Sequence, residues 1–384
     1  MNVGVIGTGA IATLHARAYR NLGYSIRVCT DLNERAGRAF ADENGAAFVQ
    51  DYRQVCAFPG IDFVDVCTLP DFRLDAVDAC AETGRHVQVQ KPIATTLDTA
   101  RQMIETARRG GIVLGVVSQH RFDEASQFLV RALAAGRLGR LLQADAYVKW
   151  YRSDDYYSRP IKGSWAVEGG GALINQAIHQ VDLLRWFAGA PAEVAAMWQL
   201  GAAHKIESED ILNAVVRYRN GATGVLQAAT AFWPGDAERI ELHGTRGTAV
   251  ITGDRLTRWD VKDDSGESAP LAGAGASGAS DPLAISVAPF ERQFSDFTAA
   301  FSRGRKPLVS GEDGYAALEI VDGIYRSCRT GAPAPSRGGC SSGTRSAFRG
   351  WGRRSSPWRR APTPRSTSSI RRRAASPGSP GPRP

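Results

Sequence analysis

Strict alternation between short apolar runs and helical patterns, from residue 3 to about residue 117, constrains the fold of this chain most. The β-rich runs lie at 3–6, 25–30, 63–68, 86–90 and 112–117, with helical segments at 10–22, 33–43, 71–83 and 96–109 between them. Helices that connect successive strands of one sheet make those strands parallel and cover both faces of the sheet. The sequence therefore predicts a doubly wound parallel α/β domain over residues 1–120.

A different pattern begins near residue 123. A helix at 123–135 precedes longer, half-polar strands at 141–150, 192–200, 211–219, 222–232, 239–242 and 248–251. Asn220-Gly221, between two of these strands, is a strong signal for a two-residue hairpin, which joins antiparallel strands only. With a loop at 273–280 and helices at 290–301 and 315–328, residues 121–335 are predicted to form an α+β domain with a mainly antiparallel, open sheet.

The charge of the chain is unevenly distributed. The formal net charge is +8, but the last 49 residues, 336–384, hold twelve arginines and no acidic residue, so the preceding body is −4. A mildly acidic body does not predict nucleic-acid binding by the folded part. The tail has almost no aliphatic residues and is predicted to be disordered. Two hypotheses stay open for it: a basic arm that stacks Trp351 and Trp358 on bases, or, preferred, the product of a shifted reading frame in GC-rich DNA.

The cysteines and the N-terminus indicate a cytoplasmic protein. None of the six cysteines forms a C-x-x-C pair, so neither a disulfide framework nor a zinc site is expected, and no other metal site is predicted. The first strand starts at Val3, which leaves no room for a signal peptide, and no run of 18 apolar residues occurs. We therefore expect no membrane association.

A glycine-rich loop follows the first strand directly. Gly7-Thr8-Gly9-Ala10-Ile11-Ala12 fits the pattern G-x-G-x-x-A and opens the first helix. In this position the glycines allow a tight turn, and a pyrophosphate can sit on the free N–H groups of the helix start. The loop thus predicts a Rossmann-type dinucleotide site; the alternative is a structural turn that simply requires glycine.

Asp31 ends the second strand, about 20 residues after the loop, where a carboxylate can bind the adenosine ribose hydroxyls and repel a 2′-phosphate. This favours NAD over NADP as the cofactor. Two observations leave the choice open: Arg35, one helical turn on, can offset the repulsion, and Asp31 can instead cap the helix that begins near Asn33.

Lys91-Pro92 stands at the carboxyl end of the strand predicted at 86–90. Ligands bind at this edge of a doubly wound sheet, and the proline ends the strand with Lys91 in an extended geometry. A functional role for Lys91 is therefore predicted, against the alternative of a solvated surface charge.

Three glycines, 169–171, lead into a helix that carries Asn175 and His179. Residues four apart share one helix face, and a backbone without side chains lets a substrate approach closely. A histidine exchanges protons near neutral pH, so His179 is a candidate acid/base. A helix histidine satisfied by a neighbour is an equally supported interpretation from the residues alone.

Together the nucleotide loop, the Lys91-Pro92 pair and the G-G-G-A-L-x-x-x-x-x-H-x-x-D segment that ends at Asp182 resemble the Gfo/Idh/MocA family of oxidoreductases over residues 1 to about 334. The resemblance implies hydride transfer between a nicotinamide cofactor and a carbinol carbon of a sugar, cyclitol or derivative. It also implies that the open sheet forms a homo-oligomer, a dimer or a tetramer.

Site residues follow from the same resemblance. Lys91, His179 and Asn175 would be catalytic, with Lys91 at the nicotinamide ribose and the reacting hydroxyl and His179 accepting the hydroxyl proton. The cofactor would contact Gly7, Thr8, Gly9, Ala10, Ile11, Asp31, Thr68, Leu69, Pro70, Gln90 and Lys91. Substrate contacts are expected from Arg121, Tyr157, Trp165, Asn175 and His179. Packing or dimer contacts are the alternative for the two aromatic residues, and bracing of the fold is the alternative for Arg121.

Several residues depart from the common family pattern. Gln90 replaces a glutamate that would pair with Lys91, and Asn175 replaces an aspartate that can carry a proton. Asp71 and Leu74 replace an asparagine and a histidine after Pro70.

Three functions remain open at this point. A dehydrogenase or reductase of a sugar-like substrate is favoured, an NAD-requiring glycosidase or lyase of the same family is the second, and a non-catalytic dinucleotide-binding regulator is the third. Retention of Lys91 and His179 argues against the regulator.

Overall fold

A computed structural model of the protein describes residues 1–159, 161–275, 277–279 and 286–335. The tail 336–384, with both hypotheses about it, and parts of the predicted loop at 273–280 lie outside the described residues. The two sheets of the described part belong to one compact unit. The division at residue 120 therefore stays a prediction.

Strands from the first third of the chain form a parallel sheet in the order β3-β2-β1-β4-β5-β6. They are β1 (Asn2–Ile6), β2 (Ser25–Thr30), β3 (Ala47–Phe48), β4 (Phe63–Val66), β5 (His86–Val89) and β6 (Leu114–Val116), and the helices between them are α1 (Ala10–Asn21), α2 (Glu34–Asn44), α3 (Tyr52–Cys56), α4 (Arg73–Glu82) and α5 (Leu97–Arg109). The predicted doubly wound parallel sheet is confirmed. Strand β3 is not predicted from the sequence, because a strand of two residues shows no periodic alternation of apolar and polar side chains.

The order of the strands places a crevice beside the phosphate loop. Strand β1 pairs with β2 on one side and with β4 on the other, so the chain leaves β1 and β4 in opposite directions. Helix α4 starts later than predicted, because Pro70 begins a separate 3₁₀ turn, Pro70–Phe72, in front of it. This turn forms part of the wall of the crevice.

A second sheet has the order β13-β12-β11-β7-β10-β9-β8-β14. Its strands are β7 (Leu141–Lys149), β8 (Pro191–Leu200), β9 (Glu209–Tyr218), β10 (Thr223–Ala229), β11 (Arg239–Gly244), β12 (Gly247–Thr252), β13 (Arg255–Val261) and β14 (Ala334–Pro335). The accompanying helices are α6 (Glu124–Ala134), α7 (Asp154–Tyr157), α8 (Trp165–Glu168), α9 (Ile178–Ala188), α10 (Ala288–Ser302) and α11 (Gly311–Thr330). Within this second sheet, as far as the structure describes it, only β7 and β10 pair in parallel, so the predicted mainly antiparallel sheet is confirmed.

Turn chemistry fixes the register at the centre of this sheet. Gly221 has a φ of 87°, and the hairpin that it closes pairs Thr223 with Arg217. The predicted hairpin at Asn220-Gly221 and its antiparallel pairing are thus confirmed, but three residues, 219–221, rather than two lie between the paired Tyr218 and Ala222. Strand β13 was not predicted, because charged residues such as Arg255, Arg258 and Asp260 interrupt its apolar pattern.

Helices α9 and α11 cover one face of the second sheet, while the other face carries exposed side chains. Helix α10 instead crosses to the first sheet, where Phe294 packs on Tyr19 and Phe297 packs on Phe63. Residues late in the chain therefore complete the core of the N-terminal sheet, and the two sheets hold a cleft between them. Among the helices of the described residues, none has both the length and the apolar character to cross a membrane.

Candidate active site

A cavity of about 690 Å³ lies between the carboxyl edge of the first sheet and the segment in front of α9. This volume is in the range of cofactor and substrate pockets. Nearly all the residues expected at a cofactor line it: Gly7, Gly9, Ala10, Ile11, Asp31, Thr68, Leu69, Pro70, Gln90 and Lys91. Asn175 and His179 line it from the second half of the chain. Thr8 lies behind the lining, where its amide and hydroxyl donate to Asp31.

Glycine is favoured at positions 7 and 9 of the phosphate loop for different physical reasons. Gly7 has a φ of +89°, and a Cβ there would lie 3.1 Å from the backbone of Cys67 and of Thr68. Gly9 is the N-cap of α1 without any side-chain cap, and a Cβ on it would meet nothing within 4 Å. The first N–H groups of α1 therefore face open space, which fits a pyrophosphate at the helix start.

Asp31 follows β2 and lines the cavity. Its Oδ2 accepts hydrogen bonds from the Thr8 amide (2.6 Å) and hydroxyl (2.9 Å). The N-cap of α2 is Asn33, which accepts from the Ala36 amide, rather than Asp31, although the Asp31 Oδ1 accepts from the amide of this cap residue at 2.8 Å. Asp31 therefore ties the phosphate loop to the end of β2.

Arg73, which the sequence analysis missed, joins the two loops that bear Thr68 and Lys91. Its buried guanidinium donates to the Thr68 carbonyl at 2.6 and 3.1 Å and contacts the carbonyls of Gln90 and Pro92. Burial lowers the pKa of Arg73 to about 9. The buried Thr68 hydroxyl oxygen has no hydrogen-bond partner within the described residues.

Lys91 meets the second half of the chain directly. Its Nζ donates to the backbone carbonyl of Asn175 at 2.7 Å. Burial, followed by the charges of Lys162 and Arg73, lowers the pKa of Lys91 to about 7. An amine that titrates near neutral pH can act either as a cation or as a proton carrier.

A network of buried, hydrogen-bonded side chains connects to the backbone of this lysine. Gln90 accepts from the Lys91 amide through Oε1 (3.1 Å) and lies 2.9 Å from Nε2 of His15 through Nε2. The His15 Nδ1 lies 2.7 Å from Asp65, which also accepts from the Tyr19 hydroxyl. The side chain of Gln90 therefore fits a neutral, hydrogen-bonded position, although the family pattern has a carboxylate there.

His179 and Asn175 both reach the cavity, although they lie on unlike backbones. Asn175 belongs to a π-helical turn, Ala172–Gln176, and its side chain donates to the Gly170 carbonyl at 2.9 Å. His179 is in the first turn of α9 and is only 8% exposed. Burial, followed by the charges of His120 and Lys91, lowers the pKa of His179 well below its usual value. Its imidazole is thus neutral and able to accept a proton.

Glu209, a second residue missed from the sequence, anchors the glycine-rich turn. Its buried carboxylate accepts from the amides of Gly171 and Leu173, both at 3.0 Å, and from the Tyr325 hydroxyl at 2.6 Å. Burial raises the pKa of Glu209 to about 7. A Cβ on Gly171 would lie 1.9 Å from the Glu209 carbonyl oxygen, so this glycine permits the close approach of two backbones.

The remaining wall of the cavity is polar and aromatic. It includes Trp150, Arg152, Tyr156, Lys162, Glu168 and Gln176. Lys162 donates to Glu168 at 2.6 Å, and Gln176 donates to the Tyr156 hydroxyl at 3.0 Å while accepting from Arg152 at 2.9 Å. Burial disfavours the Lys162 ammonium, but Tyr156 and Glu168 outweigh this and raise its pKa. Such donors and acceptors suit a hydroxylated ligand.

Arg121 does not line the cavity, so its expected substrate contact is corrected. The guanidinium is 2% exposed and binds Asp182 through two hydrogen bonds, of 2.6 and 2.7 Å, with a further one to Asp313. All of this bonding joins the segment after β6 to α9 and α11. Arg121 therefore braces the fold, which was the alternative.

Tyr157 and Trp165 also lie outside the cavity lining. The Tyr157 hydroxyl is 2.8 Å from that of Thr230, and its neighbour Tyr156 takes the place in the cavity. Trp165 packs on Trp198 and Tyr325 with ring centroids 5.5 and 5.1 Å away. The packing alternative holds for both residues.

Comparison with known proteins agrees with this fold. Residues 1–118 match an oxidoreductase family with an NAD-binding Rossmann fold, and residues 126–250 match the GFO/IDH/MocA C-terminal domain. A 1,5-anhydro-D-fructose reductase of Ensifer adhaerens is 29% identical over 344 residues, which cover 86% of this chain and 97% of that protein. A myo-inositol 2-dehydrogenase of Thermotoga maritima is 26% identical and covers 83% of this chain and 93% of its own length.

Solved structures show the same fold. The WlbA dehydrogenase of Bordetella pertussis, in complex with NADH and UDP-GlcNAcA, superimposes with a TM-score of 0.78 at 27% identity, over 87% of this chain and 97% of that one. A levoglucosan dehydrogenase in complex with NADH and levoglucosan has the same TM-score at 22% identity, over 88% and 99% of the two chains, and shows likeness of fold.

Proposed function

This chain belongs to the GFO/IDH/MocA family of oxidoreductases, and from that premise we propose that it uses NAD(H) to oxidise or reduce one carbinol carbon of a sugar, a cyclitol or a sugar derivative. The observation that carries the proposal is the meeting of Lys91 and His179 in one cavity that also contains the phosphate loop. When bound, NAD supplies the hydride acceptor.

Lys91 is proposed to stabilise the charge that develops on the reacting oxygen. An ammonium fixed beside a forming alkoxide lowers the barrier most where water is excluded. The hydrogen bond from Lys91 to the Asn175 carbonyl holds the side chain in place before the substrate arrives. Arg73 and Gln90 position the backbone on either side of Lys91.

His179 is proposed to take the hydroxyl proton as the substrate C–H bond breaks. A neutral imidazole is required for this, and burial together with two nearby cations provides it. Asn175 cannot carry the proton. Its amide is proposed to orient a substrate hydroxyl while it remains bonded to Gly170.

NAD is the proposed cofactor in preference to NADP. The support is the carboxylate of Asp31, which lines the cavity at the end of β2, where a 2′-phosphate would meet like charge. Arg35 is exposed and is not part of the cavity lining, so its charge does not offset the repulsion between Asp31 and a 2′-phosphate.

A homo-oligomer built on the open face of the second sheet is part of the proposal. This face bears Met197, which is 67% exposed, and Val215, which is 43% exposed, on the adjacent strands β8 and β9. Exposed apolar side chains on neighbouring strands favour a protein interface. Val215→Glu should convert the assembly to a smaller species in light scattering, whereas Thr223→Glu, at the exposed start of β10, serves as a peripheral comparison.

A cytoplasmic location is proposed as well. The cysteines of the described residues are free thiols, and Cys56 and Cys80 lie with sulfurs 3.4 Å apart without a bond. Thiols kept reduced are usual in the cytosol.

The proposed function is tested with purified protein, NAD or NADP, and a panel of sugars, cyclitols and sugar acids, by following the absorbance of NADH. Formation of NADH that depends on one polyol, with loss in both Lys91→Ala and His179→Ala, is expected. Product release without net NADH would indicate the glycosidase or lyase alternative. Cofactor binding without any turnover would indicate the regulator.

A further inference from the structure

A second histidine shares the cavity with His179. The 3₁₀ turn Gln119–Phe122 follows β6 and sets His120 into the cavity wall, while the next residue, Arg121, turns away toward Asp182. The rings of His120 and His179 meet edge to face, with centroids 5.1 Å apart and planes at 82°. A substrate that reaches His179 therefore also meets His120.

His120 is paired with a buried carboxylate. Its Nδ1 lies 2.7 Å from the Oδ2 of Asp123, and the side chains are 14% and 5% exposed. Within the described residues no hydrogen bond engages its Nε2. Burial disfavours the charged form of His120, but Asp123 outweighs this and raises the pKa to about 9, so the ring is an imidazolium at neutral pH.

The charges around this pair are mixed in sign. The carboxylates of Glu238 and Asp254 favour the charged form of His120, Arg292 favours the charged form of Asp123, and Lys91 disfavours the charged form of His179. The imidazolium thus has a compensating carboxylate on one nitrogen and the cavity on its other side.

We propose that His120 is a further substrate-contacting residue: with Nδ1 bonded to Asp123, its Nε2–H donates to a substrate oxygen next to the reacting carbon, and its positive charge keeps His179 free to accept the hydroxyl proton. This inference rests on the proposed function. It assigns a positive charge to the His120 ring in the active site, where Asn175, unlike an aspartate, has no negative charge to balance it.

Two consequences follow for kinetics. Loss of a charged donor to substrate, as in His120→Gln, should lower kcat/KM roughly 10-fold or more. Removal of a positive charge beside His179 should raise the pKa of His179 by about 1–3 units. Because His179 must be neutral to accept the proton, the acid limb of the kcat/KM profile should move to higher pH by the same amount.

The test combines this pH profile with an NMR titration of the histidine rings, which needs no turnover. Wild type, His120→Gln, Asp123→Asn and the control His86→Gln are compared; His86 is the first residue of β5, whereas Lys91 follows the last residue of this strand. In the titration His179 should shift upward in His120→Gln, His120 should lose its high pKa in Asp123→Asn, and neither should change in His86→Gln.

Each result decides the inference. An unchanged acid limb and an unchanged His179 titration in His120→Gln would overturn it while leaving the proposed function intact, provided the wild type turns over. A wild type inactive on the whole panel would reject the proposed function and, with it, the contact to substrate. The titration would still show whether His120 carries charge beside His179. Asp123→Asn retains the shape of the side chain, so it tests the pair even if His120→Gln folds poorly.

Discussion

The Lys91 ammonium lies 2.7 Å from the backbone carbonyl oxygen of Asn175, a residue 84 positions later in the chain. Lys91 follows β5 at the carboxyl edge of the parallel sheet, whereas Asn175 belongs to the π-helical turn before α9. This hydrogen bond joins the nucleotide-binding half to the half that bears His179. The candidate active site therefore exists only where the two halves meet.

The pH dependence of Lys91 is the first prediction. Burial and the charges of Lys162 and Arg73 lower its pKa to about 7, so the ammonium form is lost as the pH rises through that value. Because the mechanism uses the ammonium, kcat/KM should fall above about pH 7. Lys91→Arg, which keeps its charge, should be slower but should lack this alkaline limb. An identical limb in Lys91→Arg would assign it to another group.

The two loop glycines should respond differently to the same substitution. Gly9→Ala places its Cβ in open space, so the free energy of unfolding should not change, while the affinity for NAD should fall roughly 10-fold as the methyl group meets the pyrophosphate. Gly7→Ala should cost about 1–2 kcal/mol or more of stability, because its φ is positive and its Cβ meets backbone. Calorimetric titration measures the affinity of both variants for NAD, and urea unfolding measures their stability. Unchanged NAD affinity in Gly9→Ala would argue against a pyrophosphate at this helix start.

Asp31 should set the choice of cofactor. Asp31→Asn keeps an acceptor for the Thr8 amide but removes the negative charge, so the ratio of kcat/KM with NADP to that with NAD should rise roughly 10-fold or more. Glu34→Gln, an exposed acidic residue in the first turn of α2, is the matched control and should leave the ratio unchanged. Equal ratios in wild type and Asp31→Asn would remove Asp31 from the cofactor site.

Glu209 should stabilise the turn that presents Asn175. Glu209→Gln leaves one of the buried amides of Gly171 and Leu173 without an acceptor, which should lower the free energy of unfolding by about 1–3 kcal/mol. Tyr325→Phe removes one donor to the same carboxylate and should cost about 1 kcal/mol. Urea unfolding compares the two. A Tyr325→Phe variant less stable than Glu209→Gln would contradict this ranking.

Arg121 should behave as a bracing residue. Arg121→Met leaves the buried carboxylate of Asp182 without the arginine that pairs with it, which should lower the free energy of unfolding by about 3–5 kcal/mol. In the fraction of the variant protein that folds, KM for the substrate should stay close to that of the wild type, because the Arg121 side chain does not line the cavity. A stable variant with a strongly raised KM would restore the substrate-binding role.

Local patterns were sufficient to predict the fold and the centre of the site. Alternating strands and helices define the parallel sheet, and Lys91 is recognisable because the carboxyl edge of such a sheet is where ligands bind. The same positional rule applies to His120, which lies in the 3₁₀ turn after β6, next to Arg121, the residue that the sequence pattern favours.

The remaining site residues depend on backbone detail that no periodicity reports. In a 3₁₀ turn or a one-turn helix, adjacent side chains point in different directions, so Tyr156 lines the cavity and Tyr157 does not. Glu209 and Arg73 resemble surface charges in the sequence. Their roles appear only when distant carbonyls and amides converge on them.

Transfer of deuterium from the carbinol carbon to the nicotinamide is the most direct test of the central claim, that Lys91 and His179 carry out oxidation of a polyol in this cavity. The best substrate of the panel, labelled at that carbon, is incubated with NAD and the wild-type, Lys91→Ala or His179→Ala protein, and the reduced cofactor is analysed by mass spectrometry. One deuterium in the cofactor is expected with the wild type and almost none with either variant. Unlabelled reduced cofactor from the wild type, or full transfer by both variants, would contradict it.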